Sequence, residues 1–570
     1  MATIRVGVVQ MCCRNNLEQN RNRILDLIAD TSAKRCDLAV FPEGILCDPE
    51  ATASISEFDR AVDAIKRKAK TCNINLVVGV SAAVINKSHN RALVVDRNGM
   101  EQLCYQKNTE VPRRISIDGI PCSVAICSDR WYIEHADLPC LTQGAKIMID
   151  ISGGHGGDDG RPDLRWVRYR CWAIRNSAFV LVSNPPHDDE PDYMGHPVWG
   201  GHSAILDPQG AFLARAHYEK DALLTATLNP DLATRENAEQ RRNHPLFRPW
   251  WDMGKAVLKG EDVDVPAFAP LESPQAEIKI AAAQIACSRD MEENLRQIAG
   301  ALETASAVGA DVAVFPAQAV TGNTATADER QLTQALGTMQ THARRHGIYA
   351  IVGMPFVQDG CLFNSAVVID RKGHVQTRYN QISARPDGPF APGCSTQAMW
   401  FEIDGVHATV TVGDDLYWPE LTELAAYRGM QLHVHLDYWH GASDDANLVR
   451  KHSTINHLMP AVCGVWINAA DPSGISAPGA PAAGGSLLLR RVGGHGKPDP
   501  GGVEAYLPYH TSVVQTGGTD AQILYFTAVT GSKNGWQAWR NEVRKNKRAH
   551  KNWFDWISKG VQAIHAVRDP

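Results

Sequence analysis

The 570-residue chain predicts an α/β protein of two similar layered domains, because it repeats itself and because each half alternates strands with helices. An offset of 274 residues places the run 4–10 on 278–284. The same offset, without a gap, places 90–99 on 364–373. Agreement of this length without a gap indicates a duplicated domain. Apolar strand runs that alternate with helical patterns are typical of sheets covered by helices.

The elements of the first half follow from the spacing of its apolar residues. An amphipathic pattern over 16–36 predicts a helix, and Asn98-Gly99 predicts a tight turn between two strands. Short apolar runs predict strands, and these lie at 4–10, 37–43, 75–84, 91–99, 124–129, 146–152 and 179–184.

The repeat and the composition together predict four segments. They are a first domain over 1–254, a linker over 255–276, a second domain over 277–530 and a tail over 531–570. The linker is predicted because its stretch is acidic, contains three prolines and shows no periodicity.

The tail carries six Lys or Arg residues between Arg540 and Lys551, together with four tryptophans. Such a composition is compatible with contact to RNA or to a membrane surface. The interpretation favoured here is an extension packed on the fold, because the whole chain is acidic.

Composition also limits the partners. The formal net charge of −6 gives no electrostatic reason to expect nucleic acid as a partner. No apolar run approaches the length of a membrane span, and the first residues do not resemble a signal peptide, so a cytoplasmic protein is expected. None of the 14 cysteines forms a CxxC pair, which argues against a zinc or dithiol site.

Six segments of the first half, taken in order, resemble the nitrilase superfamily of carbon–nitrogen hydrolases. They are Phe41-Pro-Glu43, Asn90-Arg-Ala, Tyr105-Gln-Lys107, the segment 125–134 around Cys127, Trp172-Ala-Ile-Arg-Asn176 and the segment 201–210. Each segment is a weak signal alone, whereas the ordered set is specific. The resemblance implies an α-β-β-α sandwich for each half and a catalytic set of Glu43, Lys107 and Cys127.

These residue types suit attack on an amide carbon. A thiolate is a strong nucleophile, and a neighbouring carboxylate can take the thiol proton and later give it to the departing amine. A lysine ammonium can stabilise the oxyanion, and the backbone N–H of Ser128 can share that task. The chemistry requires a small-molecule substrate and no metal or organic cofactor.

Other residues are weaker candidates for binding substrate. The segment that follows Cys127 resembles that of N-carbamoyl amino-acid hydrolases, in which two arginines bind the substrate carboxylate. Arg130 matches the first of these arginines, so the resemblance implies that it binds a substrate acid. The alternative role for Arg130 is a structural ion pair. His155 follows the predicted strand 146–152 and is either a pocket residue or a loop histidine.

The interval between Lys107 and Cys127 is short. It spans 20 residues, whereas the matching interval of the second half, 381–413, spans 32. The missing residues fall where the family usually places a loop with a second active-site glutamate. Glu110 is a candidate substitute for that glutamate, or else a surface residue. The short loop predicts an open site, or one that another domain or chain completes.

The second half lacks the catalytic set. Glu43, Lys107 and Cys127 correspond to Ala317, Gln381 and Gly413. We therefore predict a non-catalytic copy. Because nitrilase-like domains usually pair as dimers, the resemblance implies that the two halves form a pseudo-dimer within one chain. A regulatory or ligand-binding second domain is the alternative, and assembly of several chains stays open.

The sequence thus predicts a hydrolase of a non-peptide amide or an N-carbamoyl compound through a thioester on Cys127. One alternative is an acyl-transfer enzyme in which an amine captures the same thioester. Another is a non-catalytic scaffold or binding protein, because the short loop could have removed the activity.

Overall fold

A computed structural model describes most of the chain. The described residues are 3–14, 16–48, 52–82, 89–107, 114–131, 133–153, 162–191, 197–217, 220–259, 261, 271–322, 328–439, 444–470, 484–491, 504–506, 511–531 and 556. The chain divides into two compact units, which we call unit 1 (Met1–Asp264 with Lys547–Trp556) and unit 2 (Val265–Asn546 with Ile557–Pro570).

Unit 1 contains the following elements among its described residues. Its strands are β1 Ile4–Gln10, β2 Leu38–Val40, β3 Asn75–Ser81, β4 Asn90–Val95, β5 Glu101–Gln106, β6 Ile115–Ile117, β7 Ile120–Ile126, β8 Ile147–Ile151, β9 Phe179–Ser183, β10 His187–Pro191, β11 Pro197–Trp199, β12 Ala204–Leu206, β13 Phe212–Arg215 and β14 Ala222–Leu228. Its helices are α1 Leu17–Ala33, α2 Ile55–Cys72, α3 Ile133–Ala136, α4 Leu138–Gln143, α5 Pro162–Asn176, α6 Glu236–Asn243 and α7 Arg248–Leu258.

Two six-stranded sheets face each other in unit 1. Their strand orders are β14-β1-β2-β3-β4-β5 and β13-β12-β9-β8-β7-β6. One core cluster joins Val8 and Val77 of the first sheet to Val124 and Ile149 of the second. A second cluster packs α1 and α2 on the outer face of the first sheet, and α5 contacts β9 and β12 of the other. The predicted α-β-β-α sandwich is therefore confirmed.

Unit 2 repeats this arrangement. Its strands are β15 Glu277–Gln284, β16 Val312–Val314, β17 Tyr349–Gln358, β18 Cys361–Ile369, β19 Val375–Asn380, β20 Trp400–Ile403, β21 Val406–Val412, β22 Leu432–Leu436, β23 Cys463–Ile467, β24 Leu487–Arg491, β25 Glu504–Tyr506, β26 Thr511–Thr516 and β27 Gln522–Val529. Its helices are α8 Met291–Ala307, α9 Glu329–His346, α10 Pro419–Arg428 and α11 Asp444–Leu458.

The strand orders of unit 2 match those of unit 1. They are β27-β15-β16-β17-β18-β19 and β20-β21-β22-β23-β24-β26-β25, so the second sheet gains only β25 at its edge. In both units the central pairs are parallel: β7 with β8, and β21 with β22. The duplication read from the sequence is thus a duplication of topology.

The boundaries of the predicted linker and tail can be placed against these elements. Helix α7 continues through Leu258, inside the predicted linker, and β15 begins at Glu277. Trp556 of the tail is fully buried in unit 1, where it stacks on Trp250 with ring centroids 4.4 Å apart. None of the described helices is both long and apolar enough to cross a membrane.

Candidate active site

Glu43 lies just beyond the end of β2, where the chain leaves the sheet. Its backbone N–H donates to the carbonyl of Ser152, which follows β8, at 3.3 Å. The chain at Glu43 also lies directly against β3: a Cβ added at Gly79 would overlap the Pro42 carbonyl oxygen and the Glu43 Cα. A glycine in β3 therefore allows the acid to approach the sheet this closely.

A buried ion pair joins Glu43 to Lys107, which follows β5. Lys107 Nζ lies 2.5 Å from Glu43 Oε1, with the carboxylate side chain fully buried and the lysine side chain 13% exposed. Asn90, at the start of β4, donates to the same oxygen at 2.7 Å. Charge-assisted hydrogen bonds of this kind orient the carboxylate and make its removal from water tolerable.

Cys127 is the first residue after β7 and begins a 3₁₀ turn that runs through Trp131. Its φ of 51° lies in the left-handed region, which a residue with a Cβ rarely adopts. Its N–H donates to Asp150 Oδ1 of β8 at 3.1 Å. Because β7 and β8 are parallel, Cys127 and Asp150 meet at the same edge of the sheet.

The three predicted catalytic side chains influence one another electrostatically. Burial and the negative charge of Glu43 raise the pKa of the Cys127 thiol, although Lys107 and Arg130 act against them. Burial alone would lower the pKa of the Lys107 ammonium, but the negative charges of Glu43 and Asp129, and that of Cys127 once it is a thiolate, outweigh burial and raise that pKa above its usual value. The thiol therefore rests protonated and needs a base, while the lysine rests charged.

Arg130 is engaged inside the protein. Its Nη1 donates to the Cys127 carbonyl at 2.8 Å and to Ser152 Oγ at 2.7 Å, and it pairs with Asp150 Oδ2 at 3.1 Å. The guanidinium carbon lies 5.2 Å from the centre of the Tyr169 ring. Arg130 therefore forms an ion pair with Asp150, and its predicted role in binding substrate stays a prediction.

Of the other predicted binding residues, only Ser128 lies among the described residues. Ser128 is partly exposed in the 3₁₀ turn directly after Cys127. Glu110 and His155 lie outside the described residues, so their roles stay predictions.

Sequence reasoning did not single out several polar residues that surround the set. Asn90 entered only as part of a motif, and Asp150 only as part of a strand. The signal was available, because a charged residue inside the apolar run Ile147–Ile151 needs a buried partner. The hydroxyl of Tyr105 donates to Asp129, and the corresponding pair of unit 2, Tyr379 and Asp415, makes the same bond at 2.7 Å.

Unit 2 keeps the frame of this site without its reactive groups. Asn364, the counterpart of Asn90, donates to Gln381 Oε1 at 2.9 Å, and Gln381 Nε2 donates to Ser383 Oγ at 3.0 Å. A Cβ added at Gly413 would lie 3.1 Å from Gln381 Nε2, so the glutamine fills the space beside that position. Among the described residues of the chain, no group of three His, Cys, Asp or Glu side chains could hold a metal ion.

The two-sheet fold, with an acid and a lysine beside a thiol at a strand end, fits the class of hydrolase that the motifs predicted. Comparison with known proteins gives the family. The carbon–nitrogen hydrolase family matches residues 5–236 and 279–461, which together exceed half of the chain. The chain belongs to the carbon–nitrogen hydrolase family, and both the predicted family and the predicted class of enzyme, a hydrolase of carbon–nitrogen bonds, are confirmed.

Curated relatives are distant in sequence. The omega-amidase NIT2-B of Xenopus laevis is 22% identical over 275 residues, which are 44% of this chain and 95% of the relative. A glutamine-dependent NAD(+) synthetase of Aquifex aeolicus is 22% identical over 243 residues, 39% of this chain and 41% of the synthetase. A solved variant of the amidase from Nesterenkonia sp. AN1 is 21% identical, with a TM-score of 0.36, covering 42% of this chain and 99% of the amidase.

Proposed function

We propose that this protein hydrolyses a small non-peptide amide or an N-carbamoyl compound through a thioester on Cys127. The observation that carries the proposal is the buried Glu43–Lys107 ion pair, held next to a cysteine in a strained turn at the end of β7. The names of the omega-amidases among the relatives support the amide.

The proposed reaction has two halves. The Glu43 carboxylate takes the proton of the Cys127 thiol, and the thiolate attacks the carbonyl carbon. The Lys107 ammonium stabilises the oxyanion; the C–N bond then breaks, and Glu43 gives its proton to the leaving amine. Water, deprotonated by Glu43, next attacks the thioester carbon, and the released thiolate recovers a proton as the acid departs.

A neutral amide is favoured over an N-carbamoyl amino acid. The latter carries a carboxylate that would need a cation, and Nη1 of Arg130 already donates to Asp150, to Ser152 and to the Cys127 carbonyl. We therefore expect neutral primary amides to give the higher kcat/KM.

The experiment measures ammonia released from a panel of primary amides and N-carbamoyl amino acids. Wild type should turn over at least one amide, and intact-mass spectrometry should show an acyl adduct that Cys127→Ala lacks. Cys361→Ala, which removes an exposed thiol of unit 2, is the matched control. Turnover retained by Cys127→Ala would overturn the proposal. Product analysis with and without an amine acceptor distinguishes acyl transfer, because a hydrolase releases the acid without any acceptor, whereas an acyl-transfer enzyme forms its product only when the amine is present.

We also propose that unit 2 is a non-catalytic copy that pairs with unit 1 in one cytoplasmic chain. The loss of thiol, acid and lysine at Gly413, Ala317 and Gln381 supports the first part, and the repeated topology supports the second. Cross-linking with mass spectrometry on a mixture of isotope-labelled and unlabelled protein tests the pairing, because the mixture separates links within one chain from links between chains. Links between the units within one chain are expected; links only between chains would contradict it.

A further inference from the structure

One ion pair, between the fully buried Asp150 and the partly buried Arg130, holds both backbone polar groups of Cys127. Asp150 Oδ1 accepts the Cys127 N–H at 3.1 Å, and Arg130 Nη1 donates to the Cys127 carbonyl at 2.8 Å. The two side chains pair with each other at 3.1 Å. Asp150, from β8, and Arg130, from the 3₁₀ turn that Cys127 begins, therefore hold the backbone of the cysteine from two sides. We call the Asp150–Arg130 ion pair the bracket.

The backbone of Cys127 needs such support. With φ at 51°, its Cβ crowds the neighbouring carbonyl group, and only interactions with surrounding groups can hold this conformation. The counterpart, Gly413, has φ of 59° and lacks a Cβ, so the same turn forms there without that steric cost.

The bracket also reaches the acid. Arg130 donates to Ser152 Oγ at 2.7 Å, and the carbonyl of Ser152 accepts the Glu43 N–H at 3.3 Å. Tyr169 of α5 hydrogen-bonds to Asp150 and lies under the Arg130 guanidinium. One connected set of contacts therefore determines where the cysteine and the carboxylate lie relative to each other.

Unit 2 is an internal comparison, because it has the fold without the reactive set. Register pairs Ile126 with Ile151 in unit 1, and Val412 with Leu436 in unit 2. Asp150 therefore corresponds to His435, and Arg130, three residues after Cys127, corresponds to Leu416. The bracket is lost with the thiol, whereas the Tyr–Asp bond behind the site is present in both units.

We propose that Asp150 and Arg130 are positioning residues, which hold Cys127 in its left-handed turn so that the thiol faces Glu43 and Lys107. This inference rests on the proposed function. It assigns Arg130 to the nucleophile and not to the substrate.

The test uses the full-length protein and the variants Arg130→Leu, which introduces the residue of unit 2, Arg130→Lys and Asp150→Asn. Arg97→Leu is the control, because Arg97 pairs with Asp37 and Asp118 of the same unit outside the site. Three quantities are measured: kcat and KM for a neutral amide, thermal unfolding, and the rate of Cys127 alkylation by iodoacetamide. Mass spectrometry of the digested protein measures the alkylation of Cys127 separately from that of the other cysteines. The exposed Cys361 of the same sample serves as the reference for the rate.

For Arg130→Leu we expect kcat to fall on the order of 100-fold, because small displacements of reacting groups carry losses of that size. KM should stay within about threefold of wild type, since positioning acts on the transition state and not on binding. Cys127 alkylation should fall about tenfold relative to Cys361. Arg130→Lys should recover part of the lost kcat and part of the lost alkylation rate. Arg97→Leu should match wild type in kcat and in the alkylation rate.

A folded Arg130→Leu protein with wild-type kcat and alkylation would overturn the inference. So would a rise in KM for N-carbamoyl amino acids alone, which would make Arg130 a substrate receptor. If Arg130→Leu does not fold, the same criteria apply to Asp150→Asn, and then to Tyr169→Phe, which removes a single hydroxyl. A wild type that releases no ammonia refutes the proposed function, while the alkylation comparison still tests positioning.

Discussion

Glu43 and Lys107 illustrate how burial and charge together define reactivity at single residues. The carboxylate is fully buried and bonded to an ammonium, while the neighbouring thiol has a raised pKa. A thiol in that condition is not spontaneously reactive. Its activation therefore depends on the base, which makes Glu43 the residue on which the proposed reaction depends most directly.

Replacing Glu43 by Gln should lower kcat by about 10²–10⁴-fold, the usual contribution of a general acid–base group. Lys107→Gln, which introduces the residue of unit 2, should lower kcat by about 10²–10³-fold through the loss of oxyanion stabilisation. Ammonia release measures both. Glu18→Gln, a change at an exposed acid of α1, is the control and should have no effect. Activity of Glu43→Gln within tenfold of wild type would exclude Glu43 as the base.

At the scale of elements, close approach of the backbone decides where the acid lies. Gly79 of β3 and Gly353 of β17 occupy the same place in the two units, and a Cβ on either would overlap the segment after β2 or β16. That segment carries Glu43 in unit 1 and Ala317 in unit 2. Both units therefore need a glycine at this position, but only in unit 1 does the neighbouring segment carry the acid.

Gly79→Ala and Gly353→Ala form a matched pair. Each should destabilise its unit by about 1–3 kcal/mol, as overpacking of a tight site does. Only Gly79→Ala should also reduce kcat, because it displaces Glu43. Calorimetry and ammonia release measure the two effects. Equal loss of activity in both variants would show that general destabilisation, and not displacement of the acid, is the cause.

Strands β21 and β22 and helix α11 enclose a cluster of three buried histidines in unit 2. The Thr411 hydroxyl lies 2.9 Å from His433 Nε2, 2.9 Å from His435 Nδ1 and 3.0 Å from His457 Nε2. A hydroxyl has one proton to donate, so at least two of these imidazoles must donate N–H to it. Burial, with contributions from neighbouring charges, lowers the pKa of all three well below 6.5.

This cluster predicts acid sensitivity of unit 2. Above pH 7 the histidines are neutral both folded and unfolded, so they add no pH dependence. Below about 6.5 the unfolded chain binds protons that the folded cluster does not, and stability falls by up to about 1.4 kcal/mol per pH unit for each histidine. Asp415, whose pKa burial raises to about 6, acts in the opposite direction below that pH and offsets part of the loss.

Thermal unfolding between pH 7 and pH 5 measures this slope. His457→Gln should make it shallower, since one proton-binding difference is removed. His374→Gln, a change at an exposed histidine, should leave it as in wild type. The groups that also face the cluster are Arg450 and Asp414, whose charges are the same in both variants. An unchanged slope in His457→Gln would refute the prediction.

At the scale of the whole molecule, one residue of the predicted tail, Trp556, packs in the core of unit 1. Trp556 and Trp250 stack at an interplanar angle of 7°, and each indole N–H donates to the other's backbone carbonyl, at 2.9 and 2.7 Å. Of the interpretations open from the sequence, the packed extension agrees with the position of this residue. Trp251 lies against the same ring and completes a buried cluster of three tryptophans.

Trp556→Ala should destabilise unit 1 by about 3–5 kcal/mol, as truncation of a buried large aromatic residue does. Trp556→Phe should lose less, because it keeps an aromatic ring in the site and removes only the indole hydrogen bond and part of the ring. Calorimetry measures both. A Trp556→Ala protein that melts like wild type would show that Trp556 adds nothing to the stability of unit 1.

The sequence by itself determined the duplicated α/β fold and the family. Apolar periodicity and ordered motifs are properties of the chain itself, and the 274-residue offset is visible without any structure. Only the tertiary structure decided the bracket around Cys127. Asp150 lies 23 residues from Cys127 and meets it because β7 and β8 pair in parallel. The same pairing brings Asp150 within reach of Arg130, at 3.1 Å. The sequence gives the charge of each side chain, but the pairing of strands in the folded sheet determines which charged side chains meet.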